Sequence, residues 1–232
     1  PPRSTLFPYT TLFRSHLGWL YIRMTCDTQD KKLSDAYTYF IEEINPKIEP
    51  YNDILNKKFV SSTALSGLDK RFSLYIKQVQ NSIRIFREEN IPLNAEQSVK
   101  EQQYGSIAGA MTVEHNGKTL TLQQASNMLK DPDRQKRNEV YHKIATRRLQ
   151  DREKLDELFN ELIAIRAKVA ANSGFENYRD FKFTELDRFD YTSQDCVDFH
   201  ESVAASVTPV LNELAAERKA MMKLDVLKPW DM

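Results

Sequence analysis

The 232-residue sequence is poor in chain breakers: six glycines and nine prolines make up about 6% of it, where average usage gives roughly 12%. So little turn-forming material leaves small room for irregular structure and predicts a chain that is mostly helix. Excess charge is also missing. The 33 Lys and Arg balance 33 Asp and Glu, for a formal net charge of zero, so the field that draws a protein to nucleic acid or an anionic membrane is absent. No run of about 18 apolar residues occurs, which excludes a membrane-spanning helix. Cysteine is scarce too. Cys26 and Cys196 are no disulfide framework, and a reducing cytoplasm is the expected compartment. What is present is 41% hydrophobic and 28% charged residues, enough to bury a sizeable core and too apolar for disorder.

Residues 4–15 read Ser-Thr-Leu-Phe-Pro-Tyr-Thr-Thr-Leu-Phe-Arg-Ser, and all twelve codons of a common sequencing-adapter oligonucleotide, translated in frame, give this string. Pro1 to Ser15 is therefore expected to be a non-native scar, set aside as a tag would be. A secretory leader would need a basic start and an unbroken apolar run, which Pro8 and the hydroxyl residues spoil. On this reading the domain occupies residues 16–232 and is incomplete at both ends. Phe7, Tyr9 and Phe13 are expected to pack poorly.

Tyr37, Phe40, Ile41, Ile44 and Ile48 share one helical face after a candidate cap at Ser34, with Pro46 and Pro50 closing the segment. Leu68, Phe72, Tyr75, Ile76, Val79, Ile83 and Phe86 step by three and four. They predict a long amphipathic helix ending near Asn90, where Ile91-Pro92 turns the chain. At Met111 and Val113 the period becomes two. Asn116-Gly117 suits both positive-φ positions of a type I′ turn, so a short β-hairpin running on to Leu120 and Leu122 is expected. Asp131-Pro132 offers a cap and first-turn proline for a new helix. Residues 133–173 contain neither Gly nor Pro, which allows two helices or one long one. Leu155, Leu158, Phe159, Leu162, Ile165 and Val169 stripe the second half, and Ser173-Gly174 ends it. A last helix starts near Thr192, with Asp195 completing an acidic capping box. Phe199, Val203, Val207, Val210 and Leu214 form its stripe, and Pro209 is expected to kink it. The economical architecture is one helical domain, or a piece of one.

Chemistry is harder to place. A helical zinc-hydrolase motif needs His-Glu-x-x-His, so that two imidazoles share a face with the Glu beside the bound water. His200-Glu201 begins that string, but Ala204 stands where the second His belongs. Glu139 and His142 have the Glu-x-x-His spacing of paired-metal bundles. A second copy is lacking, because Phe13, Thr112 and Val197 precede the other histidines at −3. Neither cysteine sits in a Cys-x-x-Cys pair, and both read as idle or buried thiols. Gly105 to Gly109 lacks the Gly-Lys-Ser/Thr of a phosphate loop and reads as small residues where backbones approach. The charged runs Arg134 to Arg137 and Arg147 to Arg152 read as solvated faces. No catalytic or metal-ligating residue is assigned. The most unusual composition is Gly174 to Phe183, aromatics interleaved with charges. It reads first as a core cluster between helices and second as the floor of a peptide groove, with Tyr178, Arg179 and Phe181 as the substrate-channel candidates.

Several segments are similar to one family. Tyr104-Gly105-Ser106-Ile107-Ala108-Gly109-Ala110-Met111-Thr112-Val113, the hairpin with Gly117-Lys118 and Leu120 to Ala125, Arg147 to Asp151, Gly174 to Asp180, Arg188 to Tyr191 and Leu227-Lys228-Pro229-Trp230-Asp231 together resemble the N-terminal half of oligoendopeptidase F, within the thimet-oligopeptidase-like zinc metallopeptidases. The resemblance runs from about Trp19 to the last residue. It implies a mainly α architecture, a multi-helical array with one short β-hairpin, forming the non-catalytic lobe of a larger helical peptidase. It also implies a parent enzyme that encloses short peptides in a channel and hydrolyses internal bonds with one zinc ion. In that family the zinc ligands follow the Pro-Trp-Asp segment, so this chain alone is expected to bind no zinc and to be inactive, its missing partner being the C-terminal catalytic lobe. The competing expectation is a stand-alone helical scaffold or interaction module without catalysis.

Overall fold

The computed structural model describes residues 7–232, with side chains described from Leu12 onward. In chain order the elements are α1 (Phe7–Cys26), α2 (Lys31–Tyr39), a π-helical segment (Phe40–Ile44), α3 (Asn45–Val60), α4 (Ser73–Ile85), α5 (Asn90–Gly109), β1 (Thr112–His115), β2 (Lys118–Thr121), α6 (Leu122–Ser126), α7 (Arg134–Gln150), α8 (Arg152–Asn172), α9 (Tyr178–Glu185) and α10 (Ser193–Met221), with short 3₁₀ turns between some of them. The chain divides into two compact units. The first comprises Pro1–Ala110 with Glu153–Asp187, and the second Met111–Arg152 with Arg188–Met232. The mainly α expectation with one hairpin holds.

The first unit has two apolar centres. Met24, Tyr37 and Ile41 pack with Leu17, Leu20, Leu33, Ala95 and Val99. Ile165, Val169, Ala170 and Phe181 pack with Ile85, Leu93, Phe175 and Tyr178. The second unit is centred on Val113, Ala125, Val140 and Ile144, which joins the hairpin to α6 and α7. The hairpin pairs Val113 with Leu120, and Asn116 (φ 51°) and Gly117 (φ 75°) supply the two left-handed residues of the turn.

Several expected boundaries move. Asp30, not Ser34, caps α2, its carboxylate accepting from Lys32 N at 2.8 Å and Leu33 N at 3.4 Å. Pro46 and Pro50 do not close the segment, because helix resumes at Asn45 and runs to Val60. Pro46 lies in the first turn of α3, where its missing N–H costs nothing, and the π turn before it is closed by Asn45 N–H to Phe40 O. The long helix expected up to Asn90 stops at Ile85, since Phe86 is extended at ψ 130°. Ile91-Pro92 then opens α5 instead of turning the chain, again because first-turn N–H groups need no helical partner. α7 is capped two residues later than expected, by Asp133 accepting from Gln135 N at 2.9 Å. The 133–173 stretch forms two helices that part at Asp151, a buried carboxylate paired with Arg147.

Other helix ends lie where their local signals put them. At the end of α8 Gly174 adopts φ 82°. Gly174 N donates to Ala171 O at 2.9 Å and Phe175 N to Ala170 O at 3.0 Å, the paired bonds of a Schellman motif with Phe175 as its apolar partner. Thr192 and Asp195 form the reciprocal capping box of α10. α10 continues through Pro209 to Met221 with no buried residue along it. Contrary to expectation, no backbone approaches Gly105 or Gly109 closely, and the close neighbour of Gly109 is a side chain. A Cβ there would collide with Thr28 Oγ1, whereas Gly105 faces open space. Of the adapter-like stretch, Phe7 and Tyr9 lie outside the described side chains, and Phe13 is 46% exposed.

Candidate functional site

In the first unit, α5 and α8 are joined by polar links whose order runs in opposite directions along the two helices. At one end the buried Asn90 side chain donates to Val169 O at 3.1 Å and Ser173 Oγ at 3.0 Å, and accepts from Asn172 at 2.8 Å. Further along, Arg166 Nη2 donates to Glu101 at 2.9 Å, and Lys100 meets Glu161 at 2.8 Å. Arg166 belongs to the face that carries Leu162 and Val169 inward, so its aliphatic stem lies against the apolar packing with the guanidinium at the rim. Its Nε–H is buried without a hydrogen-bond partner. The guanidinium carbon also stands 5.6 Å from the Tyr178 ring centroid, within cation–π range.

Tyr178 in turn stacks on Phe181 (5.8 Å between centroids, 29° between planes), and Phe175 meets Phe181 edge-on at 5.7 Å. The three channel candidates therefore occupy different depths. Phe181 is a core residue at 5% exposure, Tyr178 is half-buried between that core and Arg166, and Arg179 is outward. α9 is started by Asn177, whose side chain accepts from Asp180 N at 3.0 Å. Arg179 Nε donates to Asp180 at 2.9 Å, and that bond, with one from Asn177, holds the Asp180 carboxyl below its usual range. Burial pulls Lys182 down, yet its bond to Glu185 together with the charges of Glu185, Tyr178 and Glu101 outweighs this and raises it above the ordinary lysine value.

Residue patterns did not single out Glu101 or Tyr104, since exposed polar and aromatic side chains on a helix carry no spacing signal. A signal for Arg166 existed: a charged residue interrupting the stripe of Leu158, Leu162, Ile165 and Val169.

In the second unit, Asp231 is buried and bonded to Arg134 and Arg137, so part of the run read as a solvated face is an anchor for the Pro-Trp-Asp segment. His142 stands edge-on to Trp230 at 5.1 Å. The remaining histidines are scattered: His16 lies 5.8 Å from Phe40, His115 ends β1, and His200 is exposed beside Phe199 on α10. Among the described residues no three His, Cys, Asp or Glu side chains come together to hold a metal ion. The described donor set does not fit a three-ligand zinc centre. Cys26 is exposed and Cys196 half-buried, both unpaired. No described helix is long and apolar enough to cross a membrane.

The fold has solved counterparts. A protein assigned as oligoendopeptidase F from Bacillus anthracis strain Ames superposes with TM-score 0.85 at 20% identity, over 91% of this chain and 39% of that one. A second structure assigned as oligoendopeptidase F gives 0.87 at 18% identity, over 99% and 42%. A PZ peptidase A crystallised with an inhibitor gives 0.86 at 22% identity, over 91% and 38%. The chain thus spans about two-fifths of the length of these structures. No curated protein matches it significantly in sequence. The profile of the peptidase M3 N-terminal domain matches residues 10–86, and that of peptidase family M3 matches residues 127–232. With the two profiles in order along the chain and the helical fold beneath them, the chain belongs to peptidase family M3.

Proposed function

We propose that the chain is part of a zinc metalloendopeptidase that hydrolyses internal bonds of short peptides, and that it supplies one wall of the substrate channel. The observation that carries this reading is the pair of family M3 matches, which together take in most of the sequence. The aromatic and charged face of α5, α8 and α9, with Tyr178 and Arg179 at the surface and Phe181 beneath, supports the placement of the wall. Zinc would be held by residues other than those of this chain. A cytoplasmic setting suits two unpaired cysteines. The second reading, a helical interaction module without catalysis, draws on α10, whose apolar side chains are all at least partly exposed.

Quenched fluorescent peptides separate the two. The purified chain is expected to leave them intact, while the product of an open reading frame extending past codon 232 cleaves them and loses activity to a chelator. A stop codon directly after Met232 together with an inert chain would overturn the peptidase reading.

A further inference from the structure

Among the described residues β1 has one strand neighbour, β2, and its second edge is open. The two-residue turn makes His115 and Lys118 the bonded pair beside it, and bonded and non-bonded pairs then alternate along the antiparallel ladder. Val113 is thus bonded to Leu120, while Thr112 and Glu114 turn both N–H and C=O toward the open edge. Thr121, opposite Thr112, shows the same phase on the other side, its N–H leaving the ladder for Gln124 Oε1 at 2.9 Å. A groove of about 650 Å³ follows the open edge, lined by Thr112, Val113 and Glu114 and, across from them, by α7 from Glu139 to Gln150. Side chains of consecutive strand residues point to opposite faces, so three in a row place the groove against the strand's edge. Its α7 wall is about 16 Å long at the rise of a helix, the length of about five residues of extended chain.

Unpaired main-chain groups on a strand edge are a template for another strand, and charge defines which one. Glu114 is exposed. One oxygen of its carboxylate accepts from Thr119, and among the described residues no cation pairs with it. A residue added opposite Glu114 shares its face, where an opposite charge is favoured. The residue opposite Val113 turns instead to the α7 side, since Val113 packs with Val140 and Ile144. There Lys143 is held by Glu139 at 2.7 Å and Arg147 by Asp151, so an uncharged side chain suits that position. We propose that a short extended peptide adds to β1 as a third, antiparallel strand, with a lysine or arginine opposite Glu114 and an uncharged residue opposite Val113. The proposal rests on the peptidase reading for the class of occupant and gives peptides a main-chain site in the second unit.

The test uses the 232-residue chain and the blocked peptide Ac-Ser-Lys-Ala-Thr-Ser-Lys(fluorescein)-NH₂, followed by fluorescence polarisation. In the proposed register the N–H groups of the first Lys and the Thr face β1, and that of the Ala faces away. N-methylation of either facing amide is expected to weaken binding tenfold or more, and N-methylation of the Ala less than twofold. Glu114→Lys, at an exposed position, is expected to weaken this peptide at least fivefold and to prefer a peptide with Glu in place of the first Lys. Thr112→Pro removes one outward N–H without touching the ladder to β2. It is expected to weaken both peptides at least fivefold, with circular dichroism confirming that it folds. Absence of saturable binding, equal losses from all three N-methylations, or indifference to Glu114→Lys would overturn the proposal. So would a dimer by sedimentation that Thr112→Pro dissolves, because a second copy would then occupy the edge. Binding requires no metal, so failure of this site and failure of the peptidase reading show up in different assays.

Discussion

The carboxylate of Asp231 is gripped end-on by Arg134, each oxygen 2.9 Å from a guanidinium nitrogen 97 residues back in sequence. Arg137 adds a bond to the same carboxylate at 3.2 Å and another to Trp230 O at 2.7 Å, and Lys228 N donates to it at 3.0 Å. These bonds, those from Arg134 foremost, hold the Asp231 carboxyl far below the usual carboxylate range.

Asp231→Asn should therefore destabilise the chain by about 3 kcal/mol, the scale of removing one partner from a buried ion pair. The sign with pH follows from the lowered value. The native contribution is fully present above the unfolded carboxyl's ordinary value near 3.9 and is lost as pH falls below it toward the folded value. Urea midpoints of wild type and Asp231→Asn should stay apart from pH 7 to about pH 5 and converge at lower pH. A constant gap down to pH 2.5 would contradict the assignment.

Asn90 is 3% exposed and ties the start of α5 to the end of α8. Ser173 Oγ passes the network on to Ile85 O at 3.0 Å. Asn90→Ala leaves buried groups unsatisfied and should cost about 2–3 kcal/mol in chemical denaturation. A cost below about 0.5 kcal/mol would mean that water replaces the amide freely.

Gly109 and Thr28 should be coupled. In the native background Gly109→Ala forces the Thr28 hydroxyl aside and is expected to destabilise by about 1 kcal/mol. In a Thr28→Ala background the same change should be neutral or stabilising by about 0.5–1 kcal/mol, because alanine is then only a better helix former. A double-mutant cycle measures the difference, and additivity within about 0.3 kcal/mol would remove the clash.

Along α10, Phe199, Val207, Val210, Leu211 and Leu214 are 45–66% exposed. Apolar patches this continuous are uncommon on monomers, so the isolated chain should enhance the fluorescence of a hydrophobic dye. Leu211→Ser with Leu214→Ser should reduce that signal by half or more without lowering the melting temperature. An unchanged signal would assign the dye site elsewhere.

Local signals with a fixed geometry were legible in the sequence. Asn116-Gly117, Thr192 with Asp195, and Ser173-Gly174 each specify their own backbone. Proline was misread wherever the start of a helix could be taken for its end. Pro46 and Pro92 both sit in first turns, and only the preceding backbone, a π turn in one case and the extended Phe86 with a short turn in the other, distinguishes the two roles. The Gly174 to Phe183 composition drew attention to the right neighbourhood. The groups that complete the surface, Glu101 and Arg166, are 65 residues apart and meet only through the pairing of α5 with α8. The Asp231 anchor escaped for the same reason, since no spacing rule connects residues 134 and 231.

The π segment Phe40–Ile44 has a bearing on length variation. An i→i+5 turn stores one residue more than the α-helix around it, and each helical residue turns the face by about 100°. Deleting a single residue there would convert the turn to regular α-helix and leave the downstream face, with the buried Asp53, nearly in place, whereas a deletion within α3 itself would rotate everything downstream of it by that angle. The same deletion in the 3₁₀ turn Thr63–Gly67, none of whose residues is buried, would be absorbed locally. Relatives shorter by one residue should thus carry the change at the π turn or between α3 and α4, and keep the count within α3 intact.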